Sequence, residues 1–131
     1  MTRENEKASE QEIEDKNELL EDLILKIEYS DNQQSRIRSL EILEELNLLK
    51  TDHVDFLEDI AISDHNKQLR AIASKILINK FRDHATFLIE WSIQYENSPL
   101  ILYNVIEPLS KMDHTFLRML LINYLSEKLK T

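Results

Sequence analysis

Apolar residues recur at three- and four-residue intervals along most of the chain, which is the spacing of amphipathic helices. The stripe from Ile13 to Ile27 predicts a first helix that ends near Tyr29, ahead of a polar turn at 30–32. A second stripe, in steps of three residues, predicts a second helix over 34–48. The chain therefore begins as a pair of helices joined by a short polar turn.

Five more helices are predicted from capping residues that precede apolar stripes. Pro99 suits the first position of a helix, because the amide that proline lacks has no partner there. Pro108 should kink or end the same helix. Phe87 and Trp91 lie four residues apart on the stripe of the fifth helix and are expected to pack in the core. The caps are expected at Thr51 or Asp52, Ser63 or Asp64, Asp83, Ser98 and Asp113.

The helices follow a repeating order. The dipeptide Asp-His opens the third, fifth and seventh helices, at steps of 31 and 30 residues. Asp31, Asp64 and Asn97, in the turns after the first, third and fifth helices, are separated by 33 residues each. A period in the low thirties over two short helices is typical of stacked helical repeats, in which neighbouring pairs complete one another's core.

The segment from Glu18 to Met112 resembles three HEAT-like repeats of the armadillo/HEAT type. The resemblance implies an all-α fold: a short right-handed α-solenoid of about seven antiparallel helices, in which three HEAT-like pairs are followed by a terminal helix. We expect a disordered charged tail over residues 1–9, which carry few apolar side chains, and the solenoid domain over residues 10–131.

The resemblance also implies a ladder of polar contacts between the turns and the second helices. In the HEAT family an Asp in the turn commonly pairs with an Arg early in the second helix. Asp31 with Arg38 and Asp64 with Arg70 match that pattern, although the first spacing is one residue longer. The third repeat departs from it, because Tyr103 stands where the Arg is expected.

The composition agrees with a helical protein. The chain has no Gly and two Pro. An all-β protein is therefore unexpected, because its tight turns need these residues. It has no Cys, which excludes disulfides and thiolate metal sites. A charged start and the lack of a long apolar run argue against a signal peptide and a membrane span, so we expect a cytoplasmic protein.

Negative charge is concentrated at the start of the chain. The formal net charge is −9, and residues 1–31 carry eleven Asp or Glu against four Lys or Arg. Such a start repels phosphate backbones, and the remainder has no cluster of basic residues. Nucleic-acid binding is therefore the least favoured of the functions considered below.

The sequence offers no catalytic or cofactor chemistry. Three of the four histidines should open parallel helices one repeat apart, the third, fifth and seventh, separated by roughly 8–10 Å per step, which is too far apart to share a zinc ion. Asp52, Asp55, Glu58 and Asp59 are interpreted as a solvated first turn of a helix. We therefore expect no catalytic residues, no metal, no cofactor and no enzyme activity.

Two surfaces are candidates for contact with a partner. In a solenoid the second helices line one face, and their exposed polar residues would form a groove. The last helix is apolar around most of its circumference, which predicts that it packs on a symmetric copy or on a following domain. The groove is expected to contain Arg38, Glu41, Glu45, Arg70, Ser74, Lys75, Tyr103, Asn104 and Glu107, and the apolar contact Phe116, Met119, Leu120 and Ile122.

Three functions remain open at this point. The leading hypothesis is a non-catalytic scaffold that binds a protein or peptide on the face of the second helices. The alternative is a small acidic inhibitor or immunity-type protein that masks a basic enzyme, since a strongly charged protein associates fast with a target of opposite charge. The third is a helical-repeat nucleic-acid binder, against which Glu41, Glu45 and Glu107 argue.

Overall fold

The computed structural model describes residues 3–109, together with Thr115, Arg118, Met119, Ile122, Asn123 and Ser126. These residues form six α-helices and two 3-10 turns. The prediction of an all-α protein is therefore confirmed. The chain divides into two compact units, Met1–Lys50 and Thr51–Thr131, and each is considered by itself.

The first unit is a helical hairpin of α1 (Arg3–Tyr29) and α2 (Gln33–Glu45). The two helices pack together and are joined by a three-residue turn, so they run antiparallel. The core of this hairpin contains Leu23, Ile27, Ile37, Leu40 and Leu43.

The two helices of the hairpin differ in length. At 1.5 Å per residue, α1 is about 40 Å long and α2 about 20 Å, so the N-terminal half of α1 extends past the end of α2. All side chains from Ser9 to Leu19 are exposed, including Ile13, which the apolar stripe had placed in the core and which is 59% exposed. The helix also begins at Arg3, ahead of the expected domain boundary at residue 10. The proposed disordered tail stays a prediction.

A left-handed residue ends α2 three residues earlier than predicted. The amide of Leu48 donates to the Leu43 carbonyl and that of Asn47 to the Glu44 carbonyl, both at 3.0 Å. Together with a φ of 54° at Asn47, these bonds form a Schellman motif. Asparagine tolerates this conformation better than other non-glycine residues, and it serves here in a chain that has no glycine.

The second unit contains α3 (Val54–Ser63), α4 (Lys67–Lys80), α5 (Thr86–Tyr95) and α6 (Pro99–Leu109). Helix α4 packs against both α3 and α6, and α5 packs against α6 and α3. Consecutive helices therefore form two pairs, α3 with α4 and α5 with α6. Between the pairs, the second helices α4 and α6 are in contact, and so are the first helices α3 and α5.

Helix α4 is the centre of this unit. Seven of its residues are buried, which places apolar side chains on more than one face. Two of them, Ala71 and Ala73, are small and let neighbouring helices approach closely. The buried residues of α4 are Leu69, Ala71, Ala73, Ser74, Ile76, Leu77 and Ile78.

The starts of α3 and α5 differ from the prediction. Each is preceded by a 3-10 turn, Thr51–His53 and Arg82–His84 respectively. No side chain caps either helix, so the caps expected at Thr51 or Asp52 and at Asp83 are wrong. The two Asp-His dipeptides nevertheless occupy equivalent positions, because both lie in the 3-10 turn that leads into the first helix of a pair.

The end of the chain lies largely outside the described residues. The predicted seventh helix, from Asp113 to Leu129, is described only at six positions, all of them helical. Pro99 is the first residue of α6, as predicted, and Pro108 lies in its last turn. None of the described helices has an apolar stretch that could cross a lipid bilayer.

The cap of α4 gives a test of the fold. The Asn66 side chain accepts hydrogen bonds from the amides of Gln68 and Leu69, at 2.9 and 3.1 Å. Replacing a capping Asn by Ala costs about 1 kcal/mol, so Asn66→Ala should lower the free energy of unfolding by about that amount. Urea denaturation followed by Trp91 fluorescence measures it. The control Gln94→Ala, an exposed residue of α5, should change it much less, and equal losses would contradict the assigned cap.

Candidate functional site

The turns that join the two helices of each pair share one local structure. In each, a side-chain oxygen accepts a hydrogen bond from the amide two residues later, at the residue that precedes the next helix. The acceptor–donor pairs are Ser30 and Asn32 at 3.1 Å, Asp64 and Asn66 at 2.8 Å, and Glu96 and Ser98 at 3.0 Å.

This common geometry corrects the predicted register of the turns. The equivalent residues are Ser30, Asp64 and Glu96, separated by 34 and 32 residues. The predicted match of Asp31, Asp64 and Asn97 is wrong by one residue in the first and third turns. The predicted cap of α4 at Ser63 or Asp64 is also wrong, because Asp64 follows the end of α3 and Asn66 is the cap.

With the corrected register, the equivalent arginines are Arg36 and Arg70. Each lies six residues after the first turn residue and four after the capping Asn. The Arg36 Nε donates to the Ile27 carbonyl at 2.6 Å, and the Arg70 Nη1 donates to the Asp64 carbonyl at 3.0 Å. Both therefore bind main-chain oxygens near the end of the preceding helix.

The predicted ladder is thus only partly present. Arg38 does not pair with Asp31; it binds the Glu45 carboxylate along α2, at 3.0 and 3.5 Å. Its pKa is raised above the usual value, chiefly by the hydrogen bond to Glu45 and then by the charge of Glu45 and, less strongly, of Glu41. Arg70 and Asp64 are in contact, but through the main-chain oxygen of Asp64.

The second bond of Arg70 joins two helix pairs within the second unit. Its Nη2 donates to Glu96 Oε1 at 3.1 Å, and the two side chains are 16% and 4% exposed. The same oxygen accepts hydrogen bonds from the amides of Asn97 and Ser98, at 3.1 and 3.0 Å. Three donors on one buried oxygen stabilise a charge that would otherwise be costly to bury.

A cleft of about 380 Å³ opens beside this ion pair. It lies at the edge of the second unit that is formed by the end of α3, the start of α4 and the turn between α5 and α6. Its volume is in the range of ligand-binding pockets. The lining residues are Ile62, Lys67, Arg70, Trp91, Tyr95, Glu96, Asn97, Ser98 and Pro99.

Two aromatic rings form one wall of the cleft. Trp91 and Tyr95 stand one turn apart on α5, with ring centroids 5.8 Å apart and planes tilted by 46°. Trp91 is half-buried, and Tyr95 is 63% exposed. Phe87, expected in the core with Trp91, is 57% exposed instead. Trp91 therefore combines packing with an accessible face.

The residues predicted for a groove on the second helices differ in burial and in pairing. Ser74 is fully buried and cannot contribute to an exposed surface. Arg38 and Glu45 are exposed but paired with each other, and Arg70 is held at the turn edge by two bonds. Glu41, Asn104 and Glu107 are half-buried, and Lys75 and Tyr103 are exposed.

The predicted apolar contact of the last helix is described in part. Met119 and Ile122 are 59% and 55% exposed. Thr115, Arg118 and Ser126 are exposed as well, so the described positions share one exposed face at helical spacing. Phe116 and Leu120 lie outside the described residues.

The acidic start of α3 shows one electrostatic perturbation. Burial raises the pKa of the Glu58 carboxyl above its usual value, and the charges of Asp55 and Asp59 add to this effect. Within the described part of the chain, no three His, Asp or Glu side chains are grouped so that they could hold a metal ion. His65 and His84 are exposed and His53 is half-buried, whereas His114 lies outside the described residues.

The cleft residues Lys67, Tyr95 and Glu96 were not predicted from the sequence. The sequence does carry a signal for the turn arginines, because aligning Asn32 with Asn66 places Arg36 and Arg70 in register. The pairing of Arg70 with Glu96 had no such signal, since it depends on how one helix pair stacks on the next.

Comparison with known proteins gave no match: no family model, no curated protein and no solved structure is similar to this chain.

Because the Arg70–Glu96 pair is buried, we expect Arg70→Met to lower the free energy of unfolding much more than Arg38→Met does at an exposed pair. Arg70→Met leaves the Glu96 carboxylate buried without its cation, and breaking a buried pair in this way costs about 3 kcal/mol. The double variant with Glu96→Gln should regain part of this loss. Unfolding followed by circular dichroism measures both.

The exposed Arg38–Glu45 pair, 3.0 Å long against 3.1 Å for the buried pair, provides the matched control. Arg38→Met should change the stability little, because exposed pairs are screened by water. Equal losses for Arg38→Met and Arg70→Met would show that the Arg70–Glu96 pair has no special structural role.

Proposed function

We propose that this chain is a non-catalytic scaffold of HEAT-like helical repeats that binds a protein or peptide partner in the cytoplasm. The repeat character is supported by the second unit, where α4 packs on α6 and α3 on α5. Such packing is what a solenoid requires of neighbouring helix pairs. The corrected spacing of the turns, 34 and 32 residues, supports it as well.

The exposure of large side chains on α5 and α6 carries the binding part of the proposal. Tyr95, Leu100 and Tyr103 are 63%, 50% and 65% exposed. Tyr103 lies one turn beyond Pro99 on the same side of α6, and Pro99 lines the cleft. Tyrosine is enriched among the residues that dominate the energy of protein interfaces. We therefore propose Tyr103, rather than the charged residues of α2 and α4, as the centre of the partner-binding face.

A photo-crosslinking amino acid at position 103 tests this proposal. With p-benzoylphenylalanine in place of Tyr103, a specific protein adduct should form in cells of the source organism and be identified by mass spectrometry. The identified partner should then bind Tyr103→Ala at least tenfold more weakly, since loss of a central interface tyrosine costs about 2 kcal/mol. The same amino acid at Glu90, exposed on α5, is the control. No adduct at 103, or equal adducts at both positions, contradicts the proposal.

The projecting half of α1 favours a second function, the acidic inhibitor or immunity-type protein. This segment is exposed and would present its carboxylates to a basic target without rearrangement. Opposite charge would speed association. Its exposed acids are Glu10, Glu12, Glu14, Asp15 and Glu18.

Charge neutralisation distinguishes this second function from the scaffold. The variant E12Q/E14Q/D15N/E18Q should lose any basic protein that the wild-type chain retains from lysate at low salt. The variant D52N/D55N/D59N/E90Q, which neutralises four exposed acids of the second unit, should retain it. If both variants behave like the wild type, the inhibitor function is excluded.

A further inference from the structure

The cleft at the edge of the second unit contains both polar and apolar contact groups. Trp91 and Tyr95 provide an aromatic wall, and Ile62 contributes from the end of α3. Lys67, the first residue of α4, is exposed and supplies an ammonium group at the rim. A ligand with an apolar body and a charged or polar end would match this arrangement.

The charges that line the cleft indicate the sign of the ligand. Arg70 and Glu96 neutralise each other through their 3.1 Å ion pair. Lys67 is the remaining charged residue among those that line the cleft. The net charge of the lining is therefore positive, and it attracts an anion.

The main-chain amides near the cleft indicate which anion fits. Phosphate sites at helix starts use several free amides. Here the amides of Asn97 and Ser98 bind Glu96, and those of Gln68 and Leu69 bind Asn66. The Glu96 carboxylate in the wall would also repel a doubly charged phosphate. A singly charged carboxylate is the better match for one lysine.

The openness of the cleft indicates the size of the ligand. Small molecules gain affinity when a pocket buries most of their surface, but this cleft has Tyr95 and Pro99 exposed at its rim. The exposed surface continues along α6 to Tyr103. A peptide could use that surface in addition to the cleft, whereas a small molecule could not.

We propose that this cleft binds a peptide segment of a partner protein in which an acidic residue stands next to an aromatic or large aliphatic residue. The carboxylate binds Lys67, and the apolar side chain packs against Trp91 and Tyr95. This inference deepens the proposed scaffold function by naming the chemistry of the partner, and it rests on that function.

A selection from random peptides tests the inference without knowledge of the partner. Twelve-residue displayed peptides are selected on the full chain, and the enriched sequences are synthesised and titrated. We expect an Asp or Glu beside Phe, Trp, Leu or Ile in the enriched sequences. Because Trp91 is the single tryptophan, binding at the cleft should change the intrinsic tryptophan fluorescence.

Three variants connect the binding to the named side chains. Lys67→Glu should raise the Kd at least tenfold and Tyr95→Ala at least fivefold, whereas Lys26→Glu, an exposed lysine of the first unit, should change it less than twofold. A peptide whose acidic residue is replaced by Lys should bind Lys67→Glu better than it binds the wild-type chain. Circular dichroism verifies that each variant is folded.

Several outcomes would overturn the inference. They are an absence of enriched peptides, enrichment of peptides without acidic residues, or a Kd insensitive to Lys67→Glu. If inorganic phosphate binds more tightly than acetate, the assignment of a carboxylate as the group that binds Lys67 is wrong. If 3-phenylpropionate binds as tightly as the selected peptides, the assignment of a peptide as the ligand is wrong. A partner crosslinked at position 103 together with failed peptide selection would reject this inference alone, whereas selected peptides without a crosslinked partner would reject the scaffold function and, with it, the assignment of the ligand to a partner protein.

Discussion

The second unit depends on one buried ion pair. Glu96 Oε1 accepts hydrogen bonds from the Arg70 guanidinium and from two main-chain amides, so the start of α4 and the α5–α6 turn are joined at a single atom. Burying a carboxylate is favourable only when its hydrogen-bonding capacity is largely satisfied. The pair therefore connects one helix pair to the next at the point where the aromatic wall and Lys67 line the cleft.

Because the chain has no glycine, other residues shape several of the described turns. Asn47 takes the left-handed position that glycine often fills after a helix. The turns between paired helices all need one side-chain oxygen that accepts a hydrogen bond from the amide two residues later. Three different side chains supply it, those of Ser30, Asp64 and Glu96. Turns can therefore share a geometry while their sequences differ, so comparing residue identities does not show that they are equivalent.

The parts that sequence predicted well are those set by local physics. Helical spacing of apolar residues predicted the order of the six described helices, and the missing amide of proline predicted the start of α6. The register of the turns was wrong, because three acceptors of different chemistry are equivalent and Asp31 is a closer match by identity than Ser30. The Arg70–Glu96 pair, the cleft and the exposure of Phe87 depend on packing between helices distant in sequence, which no spacing rule contains.

The proposed peptide site must act within a chain of net charge −9. That charge repels an acidic peptide. At physiological ionic strength the Debye length is about 8 Å, so charges further than this from the peptide repel it little. At the rim of the cleft, Lys67 stands beside an ion pair that is already neutral, so its charge remains to attract a carboxylate at contact distance. Added salt should therefore speed association by reducing the repulsion, while it weakens the carboxylate contact once formed. The site would select partners by their short-range chemistry, since the field of the whole protein gives an acidic peptide no help in reaching it.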